Sequence, residues 1–312
     1  MTRVSLTDEE VSPSAQVSVV IPAYNRAGQV GRALESVSRQ TYPHWEIVVV
    51  DDASTDGTAQ AVEARAADIG HLRLARHACN LGAQAARNTG IRASRGPWIA
   101  FLDSDDWWEP DSLELRLAEA RNRGVQVVHS DCFVLGPDGS RKRYGVPAVQ
   151  GDVHRQLLIH PGPMFPALLV TRRALDRVGG LDESLPAYQE WDTAIRLARH
   201  FEFGFVDAPT FVYDCSGREA ISRDTLRAAA GHERVVRKHA FDMLRQAGGG
   251  ALAGHSWLEA GWYWRGARRW AALRCLLRGA LAWPFRPQAA WRLLGGRRAG
   301  GGPAAPRATS GS

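Results

Sequence analysis

The chain has 312 residues, 45% of them hydrophobic, which is enough for one large domain or two smaller ones with a sizeable core. Its four cysteines are widely spaced, with no CxxC pair, which argues against a disulfide framework or a zinc site and favours reduced thiols. The net charge of +6 is uneven, because ten arginines and one acidic residue from Trp257 onward give +9 and leave −3 for the remainder. A basic charge confined to one end argues against nucleic acid as the partner of the whole chain.

Residues 1–15 are expected to form a flexible N-terminus, and they contain no apolar core of a secretory signal. No stretch reaches the roughly 18 apolar residues that a membrane-spanning helix needs. The sequence therefore predicts a cytoplasmic protein.

The first half alternates short apolar runs with segments of helical periodicity. Strands are predicted at 17–21, 46–50, 72–75, 97–102 and 125–128, and helices near 30–37, 58–69, 83–93 and 110–122. Such alternation is typical of an α/β fold with a parallel sheet covered on both faces. Neither GxGxxG nor GxxxxGK[ST] is present, which argues against a dinucleotide site and a P-loop.

The second half is more irregular. A hairpin is predicted around 136–139, with further strands at 167–170, 203–206 and 211–213 and a helix over 185–200. From Leu226 the chain is predicted to be helical, with a break at 248–250. In the last helix an apolar stripe is predicted to lie apart from Arg274 and Arg278, and it comprises Leu273, Leu276, Leu277, Ala280 and Leu281.

Three carboxylates follow the apolar run that ends at Leu102: Asp103, Asp105 and Asp106. Carboxylates this close repel each other, and a divalent cation relieves the repulsion while also holding phosphate oxygens. Ligands of open α/β sheets bind beyond the carboxyl ends of the strands. The run therefore predicts a metal–diphosphate site, and the alternative is a solvated acidic turn.

Five blocks, in order and sensibly spaced over about residues 16–222, together resemble glycosyltransferase family 2 of the bacterial type. The blocks are VSVVIPAYN (17–25) with LESVSRQTY (34–42), EIVVVDDASTDGT (46–58), NLG (80–82) with ARNTGI (86–91), FLDSDD (101–106), and GGLDE (179–183) with QEWD (189–192).

This resemblance implies a GT-A nucleotide-diphospho-sugar transferase fold, with a mostly parallel central sheet and helices on both faces. The helical pattern after Leu226 adds a C-terminal helical extension to this fold. It places a catalytic domain at 16–222, with a nucleotide-sugar half (16–130) and an acceptor half (131–222). A basic helical extension at 223–298 and a disordered tail at 299–312 complete the expected organisation. The implied cofactor is Mn²⁺ or Mg²⁺.

The resemblance also assigns candidate roles to residues. The expected nucleotide-sugar-binding residues are Pro22, Ala23, Tyr24, Asn25, Asp52, Asn80, Arg87, Asp103 and Ser104. Asp52 corresponds to a base-reading carboxylate, which favours a UDP-sugar, although capping of the next helix is the alternative. Asp105 is expected to bind the metal directly and Asp103 to bind ribose or a metal-bound water, with Asp106 as the substitute. Arg87 meets either phosphate or the acidic cluster, unless it forms an ordinary ion pair.

Glu190 is the expected catalytic base, because the family places an acidic residue before a helix to deprotonate the acceptor. The family more often has Asp there, so Glu190 is a departure, and Asp192 is the alternative base. Both residues are also suited to the positive end of the helix dipole without any catalytic role.

The resemblance thus implies a metal-dependent inverting glycosyltransferase for cell-surface glycans, with a glycan or lipid-linked acceptor. One alternative is a non-catalytic nucleotide-sugar-binding scaffold. A sugar nucleotidyltransferase is disfavoured, because residues 22–26 are not a glycine-rich basic loop.

The segment 257–298 interleaves tryptophan with arginine, a mixture suited to anionic lipid headgroups. Peripheral attachment to the inner face of a membrane is one interpretation. The other is a helical hairpin that packs on the catalytic domain.

Overall fold

The computed structural model describes residues 16–145, 148–216 and 224–283. Three parts of the expected organisation lie outside these residues: the flexible N-terminus at 1–15, the segment 284–298 of the basic extension and the disordered tail at 299–312.

Nine strands form one sheet within the described residues. They are β1 (Val17–Ala23), β2 (Trp45–Asp51), β3 (Leu72–Arg76), β4 (Trp98–Phe101), β5 (Trp107–Trp108), β6 (Val127–Leu135), β7 (Arg141–Arg143), β8 (Leu169–Thr171) and β9 (Phe203–Asp214). β1 is buried along its whole length and β2 over all but its first residue, as expected for strands covered on both faces.

Helices connect and follow these strands. They are α1 (Val30–Ser38), α2 (Thr58–Ile69), α3 (Ala83–Ala93), α4 (Ser112–Arg123), α5 (His154–Leu157), α6 (Arg172–Arg177), α7 (Gln189–Ala198), α8 (Thr225–Asp242), α9 (Gly249–Arg265) and α10 (Arg269–Ala282). A 3₁₀ turn covers Phe165–Ala167, and a π-helical turn, Met243–Ala247, follows α8.

The sheet runs in the order β3-β2-β1-β4-β8-β6-β9-β5, with β7 paired to β6. The first four strands are parallel, and antiparallel β8 then joins β4 to β6. Because the chain leaves β1 for β2 and β3 on one side and returns to β4 on the other, the strand order reverses beside β1. Such a switch point opens a crevice at the carboxyl ends of the strands.

The predicted α/β architecture with C-terminal helices is confirmed. The sequence pattern does not predict β5, α5 or α6, and two other differences concern continuity. The predicted strand at 125–128 and the first arm of the hairpin predicted around 136–139 belong to one strand, β6. The predicted strands at 203–206 and 211–213 are likewise one strand, β9. β6 and β9 pair in parallel with register shifts near Asp131, so their ladder continues across residues whose local pattern indicated a break.

Contacts between Cα atoms divide the chain into two units. The first comprises 1–152, 163–183 and 196–217, and the second comprises 153–162, 184–195 and 218–312. The segments 153–162 and 184–195 thus group with the C-terminal helices, and the expected domain boundaries stay a prediction. The first unit has a large apolar core around β1, β2 and α1.

The second unit has its own core, which includes Ala260, Trp262, Tyr263, Ala272 and Cys275. Of the predicted stripe of the last helix, Leu276 packs against this core. The leucines of this stripe at 273, 277 and 281 are exposed, and the small residues of α10 face inward instead. No helix among the described residues is both long enough and apolar enough to cross a membrane.

Candidate active site

The carboxyl ends of β1, β2 and β4 bring the predicted donor-binding segments to one edge of the sheet. Ala23, the last residue of β1, pairs with Asp51, and the next backbone amide, that of Asp52, donates to Ala23 O at 2.8 Å. On the other side of β1, Leu102 N donates to Val20 O at 3.1 Å. The loops that start at Tyr24, Asp52 and Asp103 therefore all leave the sheet at the switch point.

The loop after β1 is held by the loop after β2. Asn25 has a positive φ of 51°, which asparagine tolerates better than most residues. Its backbone amide donates to Ser54 Oγ, and its side-chain oxygen accepts from Thr55 N, both at 2.9 Å. Pro22 and Ala23 are buried, whereas Tyr24 is 46% exposed. The tyrosine ring is thus the accessible surface of this loop.

Asp52 is buried, and its carboxylate organises the next loop. Its oxygens accept from the backbone amides of Leu81 (2.9 Å) and Gly82 (2.7 Å), and Oδ1 lies 2.7 Å from His77 Nδ1. This arrangement fixes the exposed Asn80 beside the site. The base-reading role of Asp52 remains a prediction, whereas its role in ordering the 80–82 loop is visible.

His77 was not predicted as a site residue. It is 6% exposed, and its Nε2 lies 2.9 Å from Thr89 Oγ1, so the ring links Asp52 to α3. The only signal in the sequence was a histidine directly after the third strand, which is too general to assign a role.

Arg87 joins the acidic cluster, one of the roles predicted for it. Its guanidinium donates to Asp103 Oδ1 and lies 4.4 Å above the ring of Phe165. Only 6% of Arg87 is exposed, and its Nε has no hydrogen-bond partner in the described structure. Burial of the arginine makes this pairing a fixed feature that orients Asp103.

Asp105 has the most accessible carboxylate of the cluster, with 45% of its side chain exposed. Arg26 Nε lies 3.4 Å from Asp105 Oδ2, and Arg32 donates to the backbone oxygen of Asp105 at 2.8 Å. Desolvation first, and the charge of Asp103 second, raise the pKa of Asp105 above its usual value. Asp105 is therefore the carboxylate best placed to gain from an added cation.

Asp106 is almost fully buried, and so is the neighbouring Ser104. Asp106 Oδ1 accepts from Asp214 N at 3.0 Å, whereas Oδ2 has no hydrogen-bond partner in the described structure. Burial, reinforced by Asp103, Asp105 and Asp214, raises the pKa of Asp106 well above its usual value. A buried carboxylate oxygen in this state is satisfied by a proton or by a cation.

Contacts among the described residues connect four carboxylates and three guanidinium groups into one cluster. The formal charge of this cluster is −1 when all seven groups are ionised. The carboxylates are those of Asp103, Asp105, Asp106 and Asp214, and the guanidinium groups are those of Arg26, Arg32 and Arg87. A nucleoside diphosphate sugar adds about two negative charges, so a bound donor brings the total to about −3, of which one divalent cation offsets two.

The protein residues alone do not complete a metal site. No group of three or more His, Cys, Asp or Glu side chains in the described part of the chain is arranged to hold a metal ion. Mg²⁺ and Mn²⁺ prefer about six oxygen ligands, and Mg²⁺ commonly takes one or two carboxylates together with phosphates and water. Asp103 and Asp105 fit a cation that arrives with a diphosphate.

The two predicted base candidates lie in the second unit, in the first turn of α7, and differ in environment. Glu190 is half-buried. Asp192 is fully buried, and its Oδ1 lies 2.8 Å from His239 Nε2 and 2.9 Å from Lys238 Nζ. Trp191 between them is also buried and donates to Leu157 O at 2.6 Å. Asp192 is thus held by two side chains of α8, and which of the two carboxylates acts as the base stays a prediction.

Comparison with known proteins identifies a family and several relatives. Residues 18–167 match the family described as "Glycosyl transferase family 2". The chain is 41% identical over 127 residues to the succinoglycan biosynthesis protein ExoO of Rhizobium meliloti, which is 41% of this chain and 36% of ExoO. It is 32% identical over 119 residues to the UDP-Glc:alpha-D-GlcNAc-diphosphoundecaprenol beta-1,3-glucosyltransferase WfgD of Escherichia coli, 38% of this chain and 46% of WfgD. The matches therefore span less than half of either relative.

Solved structures share the fold over most of the chain. TarS 1–349 of S. aureus in complex with UDP-GlcNAc aligns with a TM-score of 0.68 and 19% identity, covering 88% of this chain and 83% of that chain. The mannosyltransferase PcManGT of Pyrobaculum calidifontis in complex with GDP-Man and Mn²⁺ aligns with a TM-score of 0.58 and 23% identity, covering 91% and 86%. The predicted fold class is confirmed by these neighbours.

Proposed function

Because residues 18–167 of this chain belong to glycosyltransferase family 2, we propose that it transfers a sugar from a nucleoside diphosphate sugar to an acceptor hydroxyl. The observation that carries the proposal is the acidic cluster at the switch point, where Arg87 orients Asp103 and Asp105 remains accessible. The biosynthetic role named for ExoO supports a place in cell-surface polysaccharide synthesis.

The proposed donor is a UDP-sugar. The UDP-GlcNAc bound by TarS and the UDP-Glc in the name of WfgD support this choice. We assign base and ribose to the loops that begin at Tyr24 and Asp52, with Asn80 and Ser104 beside them. The His77–Asp52–Gly82 contacts hold the 80–82 loop, which carries Asn80, against Asp52 before the donor arrives.

The proposed cofactor is Mn²⁺ or Mg²⁺, held by Asp105 with Asp103 in support. When bound, the ion stabilises the negative charge that develops on the departing diphosphate. Arg26 and Arg32 contact Asp105 from the protein side and keep its backbone and carboxylate in place. The Mn²⁺ in the PcManGT complex supports the assignment.

Glu190 is the proposed catalytic base. It accepts the proton of the acceptor hydroxyl while that oxygen attacks the anomeric carbon and the bond to the diphosphate breaks. A single displacement of this kind inverts the anomeric configuration and needs no covalent enzyme intermediate. Asp192 is proposed to hold α7 in place through His239 and Lys238.

The proposed acceptor is a lipid-linked glycan, in line with the diphosphoundecaprenol in the name of WfgD. The proposed location is the cytoplasm, at the inner face of the membrane. A soluble glycan acceptor is the alternative.

Release of nucleoside diphosphate from a panel of UDP-, GDP- and dTDP-sugars, with and without Mn²⁺, tests the proposal. We expect turnover with a UDP-sugar that requires the metal and falls at least about 10²-fold in Asp105→Ala. Donor binding without turnover, at any metal concentration and with any acceptor extract, would instead identify a non-catalytic scaffold.

A further inference from the structure

One face of α10 exposes large apolar side chains along its whole length. Trp270, Leu273, Leu277 and Leu281 are 85%, 43%, 65% and 84% exposed. They follow one another at intervals of three and four residues, so they form a single stripe, named here the α10 stripe.

The opposite face of α10 fixes this orientation. Ala272 and Cys275 are buried, and a Cβ added to Gly279 would lie 2.3 Å from Trp257 Nε1, so only a hydrogen atom fits there. Arg274 Nη2 lies 3.2 Å from Glu233 Oε1, and Arg278 contacts Glu259. Turning the leucines inward would remove these ion pairs and force large side chains into a space made for small ones.

A cleft adjoins the α10 stripe. It has a volume of about 530 Å³ and is lined by Leu244, Leu252, Leu277, Leu281 and Ala282, together with Arg274 and Arg278. The cleft offers an apolar surface to an acyl chain, whereas the charges of both arginines are engaged by Glu233 and Glu259.

The surroundings of the stripe are cationic. Arg265, Arg268 and Arg269 are exposed at the connection between α9 and α10, and no acidic residue follows Glu259 in the sequence. Residues 284–312 carry five further arginines and no acidic residue. Like charge therefore disfavours both this segment and a second copy of the face as the covering partner. Leucine and tryptophan beside arginine match the interface of an anionic bilayer.

We propose that the α10 stripe and its flanking arginines dock on an anionic phospholipid surface. The apolar side chains enter the region between headgroups and acyl chains, and the arginines pair with lipid phosphates. Docking would hold the enzyme beside a lipid-linked acceptor, and this purpose of the docking rests on the proposed function. Its test requires no turnover.

Flotation of the full-length chain with vesicles measures the docking. We expect binding to phosphatidylcholine vesicles that contain phosphatidylglycerol and little binding to phosphatidylcholine alone. Leu277→Glu/Leu281→Glu should weaken binding at least about tenfold, because two apolar side chains that would enter the bilayer are lost and two negative charges are gained. Leu258→Glu is the matched control, since Leu258 is 40% exposed on α9 and lies outside the stripe. It should bind within about twofold of the unaltered chain.

The arginines give an independent measurement. Arg268→Gln/Arg269→Gln should weaken binding about fivefold per arginine at low salt, and the difference should shrink as ionic strength rises. Neither arginine belongs to the proposed catalytic machinery, so release of nucleoside diphosphate in the absence of vesicles should be unchanged.

Three outcomes would overturn the proposal. The first is equal flotation of the unaltered chain and Leu277→Glu/Leu281→Glu, or no flotation of either. The second is a dimer in sedimentation that the same double variant dissociates. The third is photo-crosslinking from position 277 to residues 284–312. Because nucleoside diphosphate release is measured separately, failure of the docking leaves the proposed reaction standing, and the reverse also holds.

Discussion

The stability and turnover of Asp192→Asn and Glu190→Gln should show which of the two carboxylates anchors α7 and which takes part in catalysis. Both changes replace a carboxylate by an amide of nearly the same size in the first turn of α7, so each is the control for the other. Asp192 is fully buried with His239 and Lys238 at hydrogen-bond distance, whereas Glu190 is half-buried.

The cost of Asp192→Asn follows from these contacts. A hydrogen bond to a charged group contributes about 1.5–3 kcal/mol, and the contact with Lys238, whose side chain is 35% exposed, is discounted for solvent screening. The free energy of unfolding should therefore fall by about 2–4 kcal/mol in urea denaturation. Turnover of the folded fraction should fall much less than in Glu190→Gln.

Glu190→Gln should show the opposite behaviour. Removal of a general base lowers turnover about 10²–10⁴-fold. Loss of one charge from the first turn of a helix costs only about 0.3–1 kcal/mol of stability. The measurements are nucleoside diphosphate release and urea denaturation on the same preparations. A stable Asp192→Asn that lacks turnover, beside an active Glu190→Gln, would refute the assignment.

Two further predictions concern stability. Gly90→Ala places a Cβ 2.4 Å from Val20 Cγ1, so α3 must move away from β1. The free energy of unfolding measured in urea should fall by about 1–3 kcal/mol, and an unchanged urea midpoint would contradict this packing. Burial lowers the pKa of His232 to about 3 and that of His255 to about 4, so below about pH 6.5 each histidine gains a proton when the protein unfolds. Burial raises the pKa of Glu259 to about 7, so over the same pH range this carboxyl loses a proton when the protein unfolds. Because unfolding takes up about one proton in total, the free energy of unfolding should fall by about 1 kcal/mol per pH unit on acidification from about pH 6.5 to 4.5. Urea titrations should show a flatter pH dependence for His255→Gln, and a steeper one in this variant would contradict the prediction.

The parallel strands were predictable because their burial is nearly complete. A strand covered on both faces, such as β1 or β2, is an uninterrupted apolar run, and such a run is visible in sequence without knowledge of its neighbours. The polar residues that end the runs mark the carboxyl edge of the sheet for the same reason. The predicted nucleotide-sugar and metal residues of the first unit therefore reach one edge.

The partners of those polar residues were not predictable. The family resemblance gave Asp52 its candidate role, but its burial with His77 and with the amides of Leu81 and Gly82 depends on a loop about 30 residues later. Asp214 likewise reaches Asp106 only because β9 is one continuous strand. Hydrogen bonds between distant segments leave no periodic signal in either segment.

The amino-acid sequence determined the four parallel strands β1 to β4, the order of their loops and the family, because hydrophobic runs and motif spacing are local properties of the chain. Only the tertiary structure decided which way α10 faces. Its leucines form a stripe that usually points inward, yet the close approach at Gly279 and the ion pairs of Arg274 and Arg278 turn that stripe outward. Periodicity shows that a helix has two faces, whereas the shape and charge of the neighbouring helices select the buried one.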